Sequence, residues 1–216
     1  MAAEPPSCEE KVNANSTWEK IGFETNADVS LLVSCFKNVK NIEELKEYAF
    51  SDSSPLSISL IDCENIFSYQ HFLVASNLAV HNYKEDVMKT RNVHTELIYS
   101  LSPSKNVADS LRRIGAQDST QHLIIAAFDQ EIDELNSFCE KVQGENVGTS
   151  LMGRELSSDQ VQKFKKSFKI ADQELEVSTL EGGIIKRLSQ NTLFDRCGCK
   201  MKHYHIRDTR YACCIM

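Results

Sequence analysis

The stretch from Phe67 to Pro103 constrains this chain most, because a long apolar helix pattern there passes into a run of different period and stops at a proline. On a wheel of about 100° per residue, Gln70, Asn77, His81 and Lys84 of the segment Ile66 to Lys84 form one narrow polar stripe. Tyr69, Phe72, Leu73, Ala75, Leu78, Ala79, Val80 and Tyr83 cover most of the remaining girth, which predicts a buried helix. From Val93 to Leu101 the pattern alternates, with Val93, Thr95, Leu97, Tyr99 and Leu101 on one side and His94, Glu96, Ile98 and Ser100 on the other. Alternation predicts a strand, ended by Ser102-Pro103 because proline has no N–H for a ladder. Lys84, Lys89 and Arg91 form a basic group between the two elements, read either as a solvated turn or as a binding group. Glu96 is expected to be a structural partner for Lys89 or Arg91, and His71 and His81 to be hydrogen-bonded core histidines.

Around this unit the pattern places further elements. Residues 1–27, with two prolines and many small polar residues, are expected to be a flexible leader. Val29 to Phe36 reads as a central strand, Asn41 as the cap of a helix running to about Phe50, and Leu56 to Ile61 as a second strand. Asn106 caps a helix ending in Arg112, Arg113 and Ile114, with Gly115 placed where a left-handed residue ends a helix. His122 to Phe128 is a buried strand, Asp129 caps a helix to about Val142, and Gly144 ends it. Asn146 to Met152 gives a weak edge-strand pattern. Ser157 with Gln160 opens a capping box for a helix bearing Val161, Phe164 and Phe168. A last helix spans about Leu175 to Gln190, with Gly182-Gly183 in its middle implying close approach of another backbone, inside this protein or from a partner. The mixture predicts a single α+β domain over residues 28–194, a small mixed or antiparallel sheet flanked by several helices.

The formal net charge of −7 argues against binding nucleic acid through a broad positive field, so any RNA contact must be local. No P-loop, GxGxxG, GxSxG or HExxH pattern occurs, which favours a non-catalytic protein without a cofactor. The sequence shows neither a secretory signal nor an apolar run of membrane-spanning length, and its eight cysteines are expected to be free thiols.

The segment FLVASNLAVHNYKEDVMKTRNVHTELIYSLSPSKNVADSLRRIG resembles the central part of the small kinase-binding subunit family of the EKC/KEOPS complex, which makes threonylcarbamoyladenosine in tRNA. FKNVKN at Phe36 to Asn41 and IIKRLS at Ile184 to Ser189 extend the resemblance over about Asp28 to Phe194. It implies a regulatory subunit that docks on the small lobe of an atypical kinase-like ATPase, stimulates it, and reaches the rest of the complex through it. In archaeal relatives the subunit helps hold the tRNA 3′ end. By this resemblance the kinase contact falls on Leu180, Ile184, Ile185 and Leu188, aided by the Ile42 to Tyr48 helix. Those four residues read equally well as core. Lys89, Arg91, Lys105, Arg112 and Arg113, with Ile114 as an apolar rest for a base, are the tRNA candidates. Cytoplasm and nucleus are the expected locations.

Residues 195–216 depart from the family pattern, carrying +3 against −10 for the remainder and holding four of the eight cysteines. Cys213-Cys214-Ile215-Met216 fits a farnesylation box with Cys213 as the lipidated residue, and Cys197 or Cys199 as palmitoyl sites. That reading gives a second function, a prenylated peripheral membrane adaptor. Alternatively Cys197, Cys199, His203 and His205 bind zinc, or the tail is an unused extension.

Overall fold

A computed structural model describes residues 18–23, 26–51 and 56–193, the side chains of 191–193 excepted. In chain order the elements are β1 (Glu19–Gly22), β2 (Ser30–Lys37), α1 (Ile42–Ala49), β3 (Ser59–Asp62), α2 (Tyr69–Lys84), α3 (Val93–Leu101) and α4 (Val107–Ile114). They continue with β4 (Leu123–Phe128), α5 (Ile132–Cys139), β5 (Glu145–Asn146), α6 (Ser158–Ser167), α7 (Asp172–Leu175) and α8 (Leu180–Leu193). Short 3-10 turns lie at Cys63–Asn65 and Gly148–Gly153.

Every strand pairing among the described residues is antiparallel, in the order β1-β2-β4-β3, with β5 on the far end of β2. Helices flank the sheet, so the expected α+β arrangement is the one observed. Period-two side chains sort the sheet into two faces. Leu31, Val33 and Cys35 of β2 join Ile61, Ile124, Ala126 and Phe128 in a core closed by α2, α3, α6 and α8. Leu32 and Phe36 join Leu60, Leu123, Ile125 and Ala127 in a second core under α1 and α5. Burial on both faces explains why β2 and β4 read as continuous apolar runs.

The Ser68 hydroxyl caps α2, accepting from His71 N at 3.1 Å, and the helix ends where Asp86 takes φ 54°. Its buried face is His71, Phe72, Ala75, Ser76, Ala79 and Val80. The helix is not buried all round: Tyr83 and His81 are exposed, and Leu73, Val74 and Leu78 are half-buried.

The segment expected as a strand, Val93–Leu101, is the helix α3. Its apolar run satisfies both periods, and the cap decides between them. Asn92 Oδ1 accepts from Thr95 N at 2.9 Å, and the buried residues His94, Leu97, Ile98 and Leu101 follow helical spacing. Of the side expected from Val93, Thr95, Leu97, Tyr99 and Leu101, only Leu97 and Leu101 are buried, while His94, Glu96 and Ile98 of the other side are buried too. Ser102 then turns extended ahead of Pro103, as a residue before proline prefers.

Other boundaries moved for equally local reasons. The fold begins before the expected boundary at Asp28: Trp18 is 3% exposed, its indole donates to Asn136 Oδ1 at 3.1 Å, and β1 pairs with β2. Asn41 precedes α1 without capping it; its side chain accepts from Gln143 N at 3.0 Å and donates to Lys141 O at 2.9 Å, tying α1 to the exit of α5. Asp129 is no cap either, since it takes φ 48° and accepts from Ser30 N at 2.8 Å, so α5 starts only at Ile132. β5 is two residues long, and the remainder of the expected edge strand is the second 3-10 turn. Gly115 has φ −64°, not a left-handed value; a Cβ there would lie 2.5 Å from Leu111 O, so close approach explains the glycine. The last helix begins at Leu180, which puts Gly182-Gly183 in its first turn. A Cβ on Gly183 would sit 3.0 Å from the Ile170 side chain, so its neighbour is a side chain of this same chain.

Candidate functional site

The 85–92 turn between α2 and α3 is built on a buried carboxylate. Glu96 is 0% exposed, and its Oε2 accepts from Lys89 N at 3.0 Å, Thr90 N at 3.0 Å and Thr90 Oγ1 at 2.9 Å. Oε1 accepts from Asn82 Nδ2 at 2.9 Å. A buried carboxylate is tolerated only when its oxygens are satisfied, and these four contacts satisfy them. Glu96 is thus the structural partner expected, but backbone amides, a hydroxyl and a side-chain amide supply these hydrogen bonds where a cation was expected. Asn82 contributes twice, because its carbonyl also accepts from Val87 N at 2.9 Å. Its Oδ1, buried, has no hydrogen-bond partner. Lys89 and Arg91 are exposed on the turn that this cluster holds, while Lys84 pairs with Asp28.

A second basic group lies at the end of α4. Arg112 Nη2 meets Asp109 Oδ1 at 2.7 Å and Arg113 Nε meets Oδ2 at 2.9 Å, so two guanidinium groups share one carboxylate. Those cations, Arg113 first, hold the Asp109 carboxyl down at about 2. Both arginines remain largely exposed, at 75% and 55% of the side chain.

Edge strand β3 ties down the elements that follow the two groups. Ser59 Oγ donates to His94 O at 3.0 Å in the first turn of α3, and Ala116 N, just past α4, donates to Leu60 O at 2.9 Å. The first turn of α3, which follows the turn bearing Lys89 and Arg91, and the exit of α4, which follows Arg112 and Arg113, are thereby anchored on adjacent residues of one edge strand. Lys105, exposed, lies past the opposite end of α3, about 13 Å away for nine helical residues. Ile114 is 3% exposed within the core, so it offers no surface on which a base can rest.

On α8, Ile184 and Leu188 are 0% and 1% exposed and belong to the core under α2. Leu180 and Ile185 are half-buried and reach the surface. The helix is fixed at its start by Glu181, which accepts from Ser68 Oγ, and beside it by Arg187, which donates to Glu174 at 2.6 Å. On the opposite face of the sheet, α1 buries Ile42 and Leu45 and exposes Tyr48 at 43%, with Phe50 at 63% just after it. Lys141 Nζ lies 4.8 Å from the Tyr48 ring centroid.

The titratable core groups are set for structure. His71 Nδ1 accepts from Phe67 N at 3.2 Å and Nε2 lies 3.2 Å from Leu101 O, which requires the neutral Nε2–H tautomer. Burial pushes its pKa down to about 4, and does the same to His94, also to about 4. His81, expected in the core, is exposed. Cys35, Cys63 and Cys139 are free and buried. Desolvation raises all three thiols, Cys63 to about 11 and Cys139 to about 12, which suppresses the reactive thiolate. Among the described residues no three His, Cys, Asp or Glu side chains gather as a metal site. No helix there is long and apolar enough to cross a membrane. The open cleft between Lys20, Leu32, Gln130 and Ile132 holds about 210 Å³, less than the roughly 300–1,000 Å³ of most ligand pockets. Cys213, with the other tail cysteines and histidines, lies outside the described residues.

Residues 36–191 match the family described as kinase binding protein CGI-121. This chain belongs to that family. The EKC/KEOPS complex subunit TPRKB of Danio rerio is 31% identical over 156 residues, covering 71% of this chain and 86% of that protein. The EKC/KEOPS complex subunit CGI121 of Eremothecium gossypii is 30% identical over 150 residues, 66% of this chain and 81% of that protein. A shorter match, to the EKC/KEOPS complex subunit cgi121 of Aspergillus fumigatus, reaches 36% identity over 93 residues, 43% of this chain and 49% of that one. The CGI-121 match runs from the end of β2 through most of α8, and so includes both basic groups and the Glu96 cluster, whereas Trp18, β1 and most of β2 precede it. Sequence reasoning missed Asn82 and Thr90 as members of that cluster. Asn82 gave one signal: an amide inside an apolar helix needs a partner.

Proposed function

We propose that this CGI-121 family chain is a non-catalytic subunit of an EKC/KEOPS-type complex. In this reading it binds and stimulates the kinase-like ATPase subunit and contacts the 3′ end of tRNA during threonylcarbamoyladenosine modification, in cytoplasm and nucleus. The observation that carries the reading is the match over residues 36–191 to a kinase-binding family, together with relatives named as EKC/KEOPS subunits. Buried neutral histidines and raised thiols support a role through surfaces rather than through chemistry.

Leu180 and Ile185 are the α8 residues proposed to meet the ATPase, with Ile184 and Leu188 holding the helix from beneath. RNA contact falls to Lys89, Arg91, Arg112 and Arg113 beside β3, with Lys105 as an outlying phosphate contact. A local group of this kind suits a single-stranded end in an otherwise acidic protein. The test is the ATPase rate of the cognate kinase-like subunit with and without this chain, run alongside pull-down and tRNA binding. Stimulation together with co-purification supports the proposal; failure of both at moderate salt overturns it.

A further inference from the structure

The turn carrying Lys89 and Arg91 has little apolar packing of its own, since within 85–92 only Val87, Met88 and Thr90 are even half-buried. Its shape comes instead from one carboxylate on the next helix. Glu96 gathers the successive amides of Lys89 and Thr90 on a single oxygen, adds the Thr90 hydroxyl, and is steadied from α2 by Asn82. Helix α3 is itself tied to edge strand β3 through Ser59 and His94. The backbone on either side of Lys89 and Arg91 is thus referred to the same strand that positions Arg112 and Arg113.

We propose that Glu96 is a positioning residue for RNA binding: it holds the Lys89–Thr90–Arg91 turn in the conformation that sets its two cations beside Arg112 and Arg113 for the backbone of a single-stranded RNA end. The inference rests on the RNA contact proposed above and adds what fixes its geometry. Preordering matters because a cation on a wandering loop must be immobilised at the moment of binding, and that cost reduces affinity.

Simple electrostatics and positioning predict opposite signs here. Removing a carboxylate near a phosphate site tightens RNA binding if charge alone counts. Glu96→Ala removes the charge and the clamp together, so positioning predicts weaker binding. Glu96→Gln removes the same charge but keeps the clamp: its carbonyl takes the Lys89 and Thr90 donors, and its amide donates to Asn82 Oδ1 once that amide flips. The unpartnered Asn82 Oδ1 is what makes the exchange feasible.

The experiment measures binding of full-length chains to tRNA and to a fluorescent single-stranded RNA ending in CCA, with amide hydrogen exchange at Lys89 and Thr90. Glu96→Ala is expected to lose on the order of 10-fold in affinity and the protection of both amides, while Glu96→Gln stays within about 3-fold of wild type and keeps them. Thr90→Ala, which removes only an outer donor, gives a milder loss of about 3-fold and serves as the readout if Glu96→Ala does not fold. Lys89→Ala with Arg91→Ala separates the two levels of the argument. If that pair leaves RNA affinity unchanged, the RNA reading of the turn fails. If the pair weakens binding while Glu96→Ala, or Thr90→Ala in its place, binds as tightly as wild type or tighter, the positioning role is overturned. Equal weakening by Glu96→Ala and Glu96→Gln also overturns it.

Discussion

Acidification should destabilise this protein through two buried histidines before the arginine-paired carboxylates titrate. His71 is enclosed by the Phe67 N–H, the Leu101 carbonyl and the ring of Phe168 at 5.6 Å. His94 packs against the ring of Phe128 at 5.5 Å and bonds the backbone of Ala126. Burial lowers each from 6.5 to about 4, so the unfolded chain takes up protons at a pH where the folded one does not. The stabilisation from keeping them neutral is complete above pH 6.5 and is lost as pH falls toward 4. At pH 5 the loss comes to about 2 kcal/mol per histidine, or about 4 kcal/mol for both, against a typical total of 5–15 kcal/mol. Asp109, held down by Arg113 and Arg112, and Glu174, held down by Arg187, enter only nearer the ordinary carboxylate range. Urea unfolding at pH 7.5 and pH 5 should therefore show a midpoint drop of about 2 M for a slope of about 2 kcal/mol per M. His71→Gln should halve the difference between the two pH values, whatever it costs at pH 7.5. An unchanged difference in that variant, or an NMR titration of either imidazole near 6.5 in the folded protein, refutes the reasoning.

Four further outcomes are expected. Asn92→Ala removes the cap of α3 and should cost about 1 kcal/mol, seen as a lower Tm by calorimetry. Gly115→Ala places a Cβ against Leu111 O and should destabilise by about 1–3 kcal/mol; a neutral result in urea titration would mean that α4 shifts freely along β3. Leu180→Glu and Ile185→Glu should weaken ATPase binding in pull-down with the fold intact, whereas Ile184→Ala should cost about 2–5 kcal/mol of stability first. Asp109→Asn releases the two guanidinium groups from their shared carboxylate and should tighten RNA binding by about 3-fold at low salt, an effect that fades as salt rises.

The sheet was legible because β2 and β4 are short apolar runs bounded by turn residues, and burial on both faces leaves that pattern little ambiguity. α2 was legible through the helical period of its long apolar run, and α6 through Ser157, whose cap is local chemistry. α3 was misread because nine residues rich in apolar side chains fit period two as well as helical spacing, and the deciding contact, Asn92 to Thr95, carries no weight in an alternation count. Glu96 was recognised as structural, but two of its four hydrogen bonds come from backbone amides, which a sequence does not display as residue types. On α8, the stripe of Leu180, Ile184 and Leu188 looks the same whether it faces a partner or the core. Only the packing of Ile184 and Leu188 under α2 separates them from Leu180 and Ile185. Ile114 misled for the same reason, since its place beside two arginines in sequence says nothing of its direction in space.

The chain has a single tryptophan, and the fold seals it beneath α5 at the start of β1. Its fluorescence is therefore a native optical gauge of whether the first strand is seated on the sheet, on the face away from the basic groups. Trimming the chain to the family boundary near residue 36 would remove that gauge together with β1 and most of β2, and would leave the hydrogen-bonding edge of β4 open along Ile124 to Phe128 for another chain to occupy. Self-association of the trimmed protein would then be a property of the missing strands, and misleading as a guide to how the full chain meets its partners.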